Sequence, residues 1–284
     1  MTMTTFSDAL AGDNILIAPG VPDTLSTLLA EQLGFQAVFL SGSAMAATHL
    51  GLPDIGLMTS EEIATVMRQI RERSSLPVVV DADSGFGNAY AVARTVRMFE
   101  LAGASAVQIE DMVNDKHPDE VTKRPVIALQ DMLSKLKAAL DARHNDTTLI
   151  SARTDANVTA GIDETVERII AFVECGVDAV FAEGLNTAAE RKQVVEAVNG
   201  RVPVIYNTAW PATEAPNNQQ LQEEGFAVSL APKAVVVAMV SGVTEALIEL
   251  HNGSGTTNQP KVPANIDEAL ASKDYLDRYE KWKS

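Results

Sequence analysis

A single cysteine, Cys175, occurs in 284 residues. The chain therefore has no internal disulfide, and this thiol usage predicts a reducing, cytoplasmic setting. Basic residues are scarce: 22 Lys and Arg stand against 38 Asp and Glu, a formal net charge of −16. Such a surface repels nucleic acid and anionic lipid, so neither is an expected partner. It also repels an anionic substrate at long range, so a site for one needs its own local cation. The first residues carry neither a basic n-region nor an apolar h-region, so no secretory signal is expected. No apolar run reads as approaching the length of a membrane span. His49, His117, His144 and His251 show no metal-ligand spacing; His144 and His251 read as solvated, and only His117, in a polar loop, has a chemical reading. Gly85 and Gly87 lack the G-x-G-x-x-G order of a nucleotide loop.

What is present is an ordinary globular composition, 46% hydrophobic, long enough for one large domain or two small ones. Short β-branched runs alternate with helical patterns. Strands are expected near Ile15 to Ala18, Ala37 to Leu40, Val78 to Asp81, Ala106 to Glu110, Thr148 to Ala152, Ala179 to Phe181, Val204 to Tyr206 and Ala227 to Leu230. Helices are expected at Ala89 to Ala102, Leu129 to Ala142, Ile162 to Cys175 and Val235 to Leu250, with Gly34, Gly103, Gly176 and Gly225 at helix ends. Cys175 then reads as helix packing, and Phe86 and Trp210 as walls of the site or core. Eight strand–helix units predict an α/β fold, a closed (β/α)8 TIM barrel over residues 1–250. Residues 251–284 read as a Gly/Thr/Asn/Pro-rich linker followed by one or two amphipathic helices, Ile266 to Trp282. A helix beyond a flexible linker suits packing on a neighbouring subunit, so an oligomer is expected.

The most informative stretch runs from Val78 to Asn88, where three valines lead into Asp81 and Asp83. On an extended strand, residues i and i+2 share a face. Two adjacent carboxylates repel, and a hard divalent cation relieves this; Mg2+ fits best. The competing reading makes them loop aspartates capping the next helix. Active sites of such barrels lie at the C-terminal ends of the strands. Those ends carry Ser41-Gly42-Ser43, Asp81 and Asp83, Glu110 and Asp111, Arg153 to Asp155, Glu183 and Asn207, with Asp54 in the loop after Leu50. Asp54, Asp81, Asp83 and Glu110 read as one cation shell, against a turn-forming Asp54 and an ion-paired Glu110. Arg153 reads as a bidentate clamp on a substrate carboxylate, against a salt bridge with Asp155 or Glu183. Ser41, Gly42 and Ser43 read as backbone donors to another carboxylate, against an ordinary tight turn.

Ser41-Gly42-Ser43-Ala44, Leu50-Gly51-Leu52-Pro53-Asp54, the run from Asp81 to Asn88, Ile109-Glu110-Asp111 and Ala152-Arg153-Thr154-Asp155-Ala156 together resemble the phosphoenolpyruvate mutase/isocitrate lyase superfamily over roughly residues 10 to 245. The resemblance implies a Mg2+ shell (Mn2+ substituting) of Asp54, Asp81, Asp83 and Glu110, with Asp81 the foremost direct ligand. It implies that Ser41, Gly42, Ser43, Asp81, Arg153, Glu183 and Asn207 hold a small 2-oxo or 2-hydroxy acid. It also implies a homotetramer that exchanges C-terminal helices. One segment departs from the pattern. Lyases of this family carry Lys-Lys/Arg-Cys-Gly-His after the fourth strand, with the cysteine as general acid. Here the segment is Asn114-Asp115-Lys116-His117-Pro118-Asp119-Glu120, and Pro118 falls at the cysteine position. Lys116, His117, Asp119 or Glu120 is then the expected replacement.

The shared chemistry is C–C cleavage of a 2-hydroxy/2-oxo di- or tricarboxylate through a metal-stabilised enolate, as in methylisocitrate lyase. The alternatives are oxaloacetate decarboxylation, P–C bond chemistry on a phosphonate, and non-catalytic binding of a 2-oxo acid.

Overall fold

A computed structural model describes residues 5–113, 123–209, 211–253 and 266–283. Eight parallel strands close into a barrel: β1 (Leu16–Val21), β2 (Val38–Leu40), β3 (Val78–Asp81), β4 (Ala106–Glu110), β5 (Leu149–Thr154), β6 (Ala179–Ala182), β7 (Val204–Asn207) and β8 (Val228–Ala231). Each pairs with its chain neighbour, and β8 returns to β1 with Leu16 opposite Val228.

Period-two alternation sorts the strand side chains into two layers. Leu16, Ala18, Phe39, Val79, Ala106, Leu149, Phe181, Ile205 and Leu230 fill the interior. Val78, Val80, Val107, Ile109, Ile150 and Ala152 face outward and pack against helix residues such as Phe99, Leu136 and Phe172. The same pattern places Asp81, Gln108, Glu110, Ser151 and Arg153 on the inner face.

Local sequence fixes the helices. Helix Ser60–Arg73 starts in a capping box in which Thr59 Oγ1 accepts from the Glu62 N–H and Glu62 Oε2 accepts from the Thr59 N–H. Helix Ile162–Cys175 buries Thr165, Arg168, Ile169 and Phe172, a spacing of three and four, and stops at Gly176 with φ 96°. Cys175 is half-buried at its end, where burial pushes the thiol pKa up, consistent with packing and not nucleophilic use.

Two expectations need correction. β1 does not stop at Ala18 but continues through Pro19 and Gly20 to Val21. Pro19-Gly20 reads as a terminator, yet a Cβ on Gly20 would lie 2.2 Å from the Pro232 carbonyl oxygen. Glycine is there because β8's exit presses on the strand, not because the strand ends. Second, helix Ala234–His251 is long and apolar enough to cross a membrane by length and composition. None of its residues is buried, and Val237, Val240, Val243, Leu247, Ile248 and Leu250 are exposed. The C-terminal helices Ile266–Ala269 and Ser272–Lys283 lie against their own barrel. Gln32 donates to the Glu268 and Ala269 carbonyls at 3.3 and 3.2 Å, and Arg73 donates to the Leu270 carbonyl at 3.1 Å. A helix meets the same surfaces on its own barrel as on a partner's, so exchange between subunits is not shown.

Candidate active site at the mouth of the barrel

β3 ends at Asp81, and Asp83 sits in the left-handed region with φ 46°. The two aspartates therefore do not share an extended strand, as the sequence suggested. A turn brings them together instead. The Asp83 N–H donates to Asp81 Oδ1 at 3.3 Å, and the Glu110 N–H donates to the Asp83 carbonyl at 2.8 Å. Left-handed backbone costs a non-glycine residue about 1–2 kcal/mol, so the turn must be held from outside. Thr95 Oγ1 donates to the Gly85 carbonyl at 3.3 Å, and the buried Lys135 Nζ donates to the Ser84 carbonyl at 2.9 Å. Burial lowers the Lys135 pKa, partly offset by Asp131 and Glu110. Asn88, and neither aspartate, caps the following helix Ala89–Leu101.

One carboxylate oxygen from each of Asp81, Asp83 and Glu110 lies within 4.8 Å of the others. Oxygens around a bound Mg2+ are at most about 4.2 Å apart, twice the usual Mg–O distance. The all-oxygen donor set and its spacing therefore fit a hard divalent cation after small adjustments. Asp54 is half-buried and lines the same cavity but is not one of the three converging groups. The four-carboxylate shell expected from sequence is thus three converging groups plus one on the wall.

Ser41 is not part of a tight turn. It caps the short helix Gly42–Met45, its Oγ accepting from the Ala44 N–H at 3.4 Å, with Ser43 Oγ at 3.1 Å. The Gly42 N–H donates to Asp81 Oδ2 at 3.3 Å, and a Cβ on Gly42 would sit 3.3 Å from that oxygen. The segment thus braces Asp81.

Beside the cluster, starting on β5, is a network of arginines and carboxylates. Arg153 Nε and Nη2 donate to the two oxygens of Asp155 at 3.0 and 2.9 Å, and its other contacts are Glu110 and Glu183, each at 3.3 Å. The guanidinium also lies over the Phe181 ring at 5.2 Å. Burial disfavours its charge, but Asp155, Glu110 and Glu183 outweigh burial and hold its pKa well above the ordinary value. Its Nε–Nη2 edge is engaged by Asp155, so the salt bridge with Asp155 and Glu183 is the arrangement observed, and Glu110 is ion-paired as well as clustered.

Arg124 pairs with Asp155 from the other side. Asp155 is fully buried, yet Arg153 and Arg124 overcome burial and pull its pKa down. Glu183 goes the other way: burial raises its pKa against the pull of Arg153 and Arg124. Asn207 Nδ2 donates to both Glu183 oxygens, at 3.0 and 3.2 Å. Beneath this layer Asp111 accepts from the Asp155 N–H at 3.0 Å and pairs with Arg168 at 3.1 Å. Burial, then the nearby Asp155 charge, pushes Asp111 up to about 6.

Residues 6–251 match the phosphoenolpyruvate phosphomutase family. The chain belongs to this family. It is 34% identical over 255 residues to 2,3-dimethylmalate lyase of Eubacterium barkeri, covering 90% of this chain and 88% of that one. It is 37% identical over 236 residues to 2-methylisocitrate lyase of Escherichia coli K12, covering 82% and 79%. Phosphonopyruvate hydrolase, solved in complex with oxalate and Mg2+, superposes with a TM-score of 0.84 at 26% identity, covering 98% of each chain.

Within this family fold, the cavity at the mouth gathers most of the residues singled out from sequence: Ser41, Ser43, Asp54, Asp81, Glu110, Arg153, Glu183 and Asn207. Gly42 and Asp83 adjoin it through Asp81. Phe86 does not wall it; the ring packs edge-on against Phe99 at 6.4 Å. Lys116, His117, Asp119, Glu120 and Trp210 lie outside the described residues. Sequence reasoning missed two cations that line the cavity, Arg124 and Lys233. Lys233 follows β8, so the strand-end rule that found Asn207 also reaches it. Arg124, a loop residue before Pro125, carries no periodic signal.

Proposed function

We propose that this protein is a divalent-metal-dependent carbon–carbon lyase acting on a small 2-hydroxy/2-oxo di- or tricarboxylate, in the manner of methylisocitrate and dimethylmalate lyases. The convergence of Asp81, Asp83 and Glu110 oxygens within 4.8 Å, in a cavity also lined by Arg124, Arg153 and Lys233, carries this reading. Relatives at 34% and 37% identity that are C–C lyases support it. Six carboxylates at or beside the cavity (Asp54, Asp81, Asp83, Glu110, Asp155, Glu183) against three cations favour an added metal charge.

Mg2+, with Mn2+ able to replace it, is the ion proposed, held by Asp81, Asp83 and Glu110 with Asp54 reached through water. Bound there, it supplies a Lewis acid for the carboxylate and adjacent oxygen of the substrate. Asp81 is held ready by the Gly42 N–H. Arg153, 3.3 Å from Glu110, contributes a positive charge beside the cluster on the substrate side. Glu183, with its raised pKa, is a proton-capable carboxyl in the cavity lining, and Asn207 holds it in place. The departing carbanion needs a proton, and Lys116, His117, Asp119 and Glu120 of the 114–122 segment are the donors proposed. The setting proposed is cytoplasmic and the assembly a homotetramer, which would cover the apolar surface of helix Ala234–His251.

Pro118 at the position of the family's cysteine acid supports a second reading, decarboxylation of a 2-oxo dicarboxylate such as oxaloacetate, because CO2 leaves without protonation. A panel of methylisocitrate, dimethylmalate, oxaloacetate and phosphonopyruvate, each with and without Mg2+, separates the readings by pyruvate release. Metal-dependent pyruvate from either of the first two acids is expected. Pyruvate from oxaloacetate alone favours the second reading, and none from any acid overturns both. Asp81→Ala is expected to abolish Mn2+ binding and turnover with an unchanged circular dichroism spectrum; normal activity in that variant refutes the metal assignment.

A further inference from the structure

Below the acidic cluster the barrel interior contains two polar side chains with no assigned role. Gln108 on β4 and Ser151 on β5 are each 1% exposed. Among the described residues, neither Nε2 nor Oε1 of Gln108, nor Oγ of Ser151, has a hydrogen-bond partner. Both side chains face inward, because Ala106 and Leu149, two residues earlier on the same strands, belong to the interior layer. Strand register sets them in a row: Asp81 pairs with Gln108, Gln108 with Ser151, and Ser151 with Ala179. Glu110 stands two residues above Gln108 on the same face. The amide is therefore flanked by a carboxylate of the cluster on one side and a hydroxyl on the other, with a second carboxylate above it.

Buried amides and hydroxyls are almost always satisfied by protein or by ordered water, and a polar, enclosed site with several partners is where internal water binds. The interior here offers those partners in one place: two amide donors, an amide oxygen, a hydroxyl and carboxylate oxygens. We infer that Gln108 and Ser151 bind ordered water inside the barrel, and that this water ties the Gln108 amide to Asp81 and Glu110, making Gln108 a positioning residue for the metal carboxylates. The inference rests on the proposed reading of Asp81, Asp83 and Glu110 as metal ligands. Partners of this kind orient ligating carboxylates, and their loss typically weakens metal binding by about 10–100-fold.

Two hypotheses about the same atoms predict opposite signs. If the amide is merely an unsatisfied group, replacing it with a shape-matched apolar chain removes a penalty. If it carries water, the replacement strands the water and the carboxylates. The test is Mn2+ titration by electron paramagnetic resonance, with thermal unfolding in the absence of metal, for wild type, Gln108→Met and Ser151→Ala. Gln108→Met is expected to raise the Mn2+ Kd by about tenfold and to lower the unfolding midpoint; Ser151→Ala is expected to do both to a smaller extent. An unchanged Kd in Gln108→Met overturns the inference, whether the midpoint rises, stays or falls. Should Gln108→Met fail to fold, the Ser151→Ala titration decides: a several-fold rise in Kd supports the water site, and an unchanged one overturns it. A wild type that binds no Mn2+ overturns the metal reading itself, whereas normal wild-type binding with unaffected variants overturns this inference alone.

Discussion

Removing the Asp155 carboxylate should unfold more than it appears to touch. Asp155 is fully buried and neutralises two guanidiniums at once, accepting from Arg153 at 3.0 and 2.9 Å and from Arg124. Asp155→Ala leaves Arg153 and Arg124 facing one another inside the barrel mouth. Deleting one partner of a buried ion pair costs about 3–5 kcal/mol, and a partner shared by two cations belongs at the upper end. In a domain of this size each kcal/mol moves Tm by about 2–4 °C, so a fall of about 8–20 °C is expected. Asp155→Asn keeps the shape but removes the charge and turns an amide N–H2 toward a guanidinium, so it should cost a similar amount, about 3–5 kcal/mol. The assay is scanning calorimetry near pH 7.5 without metal. Asp155 has a lowered pKa, so its stabilisation is present above the ordinary carboxylate range and disappears only as pH falls below it. The exposed pair Arg68–Glu61, 2.6 Å apart, is the control, and Glu61→Ala should change stability by no more than about 1 kcal/mol. The double variant Asp155→Ala/Arg124→Met should recover part of the loss, because it removes one stranded charge. Asp155→Ala melting within about 2 °C of wild type refutes the claim that this carboxylate holds the two arginines.

Asp111 gives the opposite pH dependence. Its pKa of about 6 is raised, so its contribution is full below about pH 4 and is lost as pH rises through 6, in total roughly 3 kcal/mol. The stability of Asp111→Asn relative to wild type should therefore grow between pH 4.5 and 7.5, and a flat difference in urea unfolding refutes it. Gly20→Ala places a methyl 2.2 Å from the Pro232 carbonyl oxygen and should cost about 1–3 kcal/mol in the same assay; an unperturbed variant shows that β8's exit can move aside. The proposed homotetramer predicts that Val240→Asp with Leu247→Asp gives monomers where wild type gives the larger mass by light scattering, and equal masses show that this helix surface is not covered by another subunit.

The barrel was legible because its signals are local. Leu129–Ala142 spans the stretch that its apolar spacing marks out, and Ile162–Cys175 runs between Gly161 and Gly176. The acidic cluster was legible for a different reason: strand ends of a closed barrel must converge, so carboxylates distant in sequence meet there whatever the details of each loop. That is why Asp81, Asp83 and Glu110 come together even though the assumed path was wrong, with Asp83 arriving by a left-handed turn and not an extended strand.

What sequence could not show is how charge is shared once the strands have converged. Arg153 read as a substrate clamp or as a salt-bridge partner of Asp155 or Glu183, and its full set of partners is invisible without register: Glu110 faces it across β4 and β5, and Asp155 folds back from two residues on. Arg124 reaches the same carboxylate from a loop with no periodicity. Gln108 and Ser151 were passed over because a polar residue inside an alternating strand reads as solvent-facing. In an open antiparallel sheet that reading holds; in a closed parallel barrel both faces are buried, so an inward polar residue must be satisfied or must serve the site above it. Every inward polar side chain from Asp81 to Arg153 therefore belongs to one electrostatic problem, and the apolar replacement that relieves a bare amide at Gln108 is the same substitution that removes a support from the metal carboxylates.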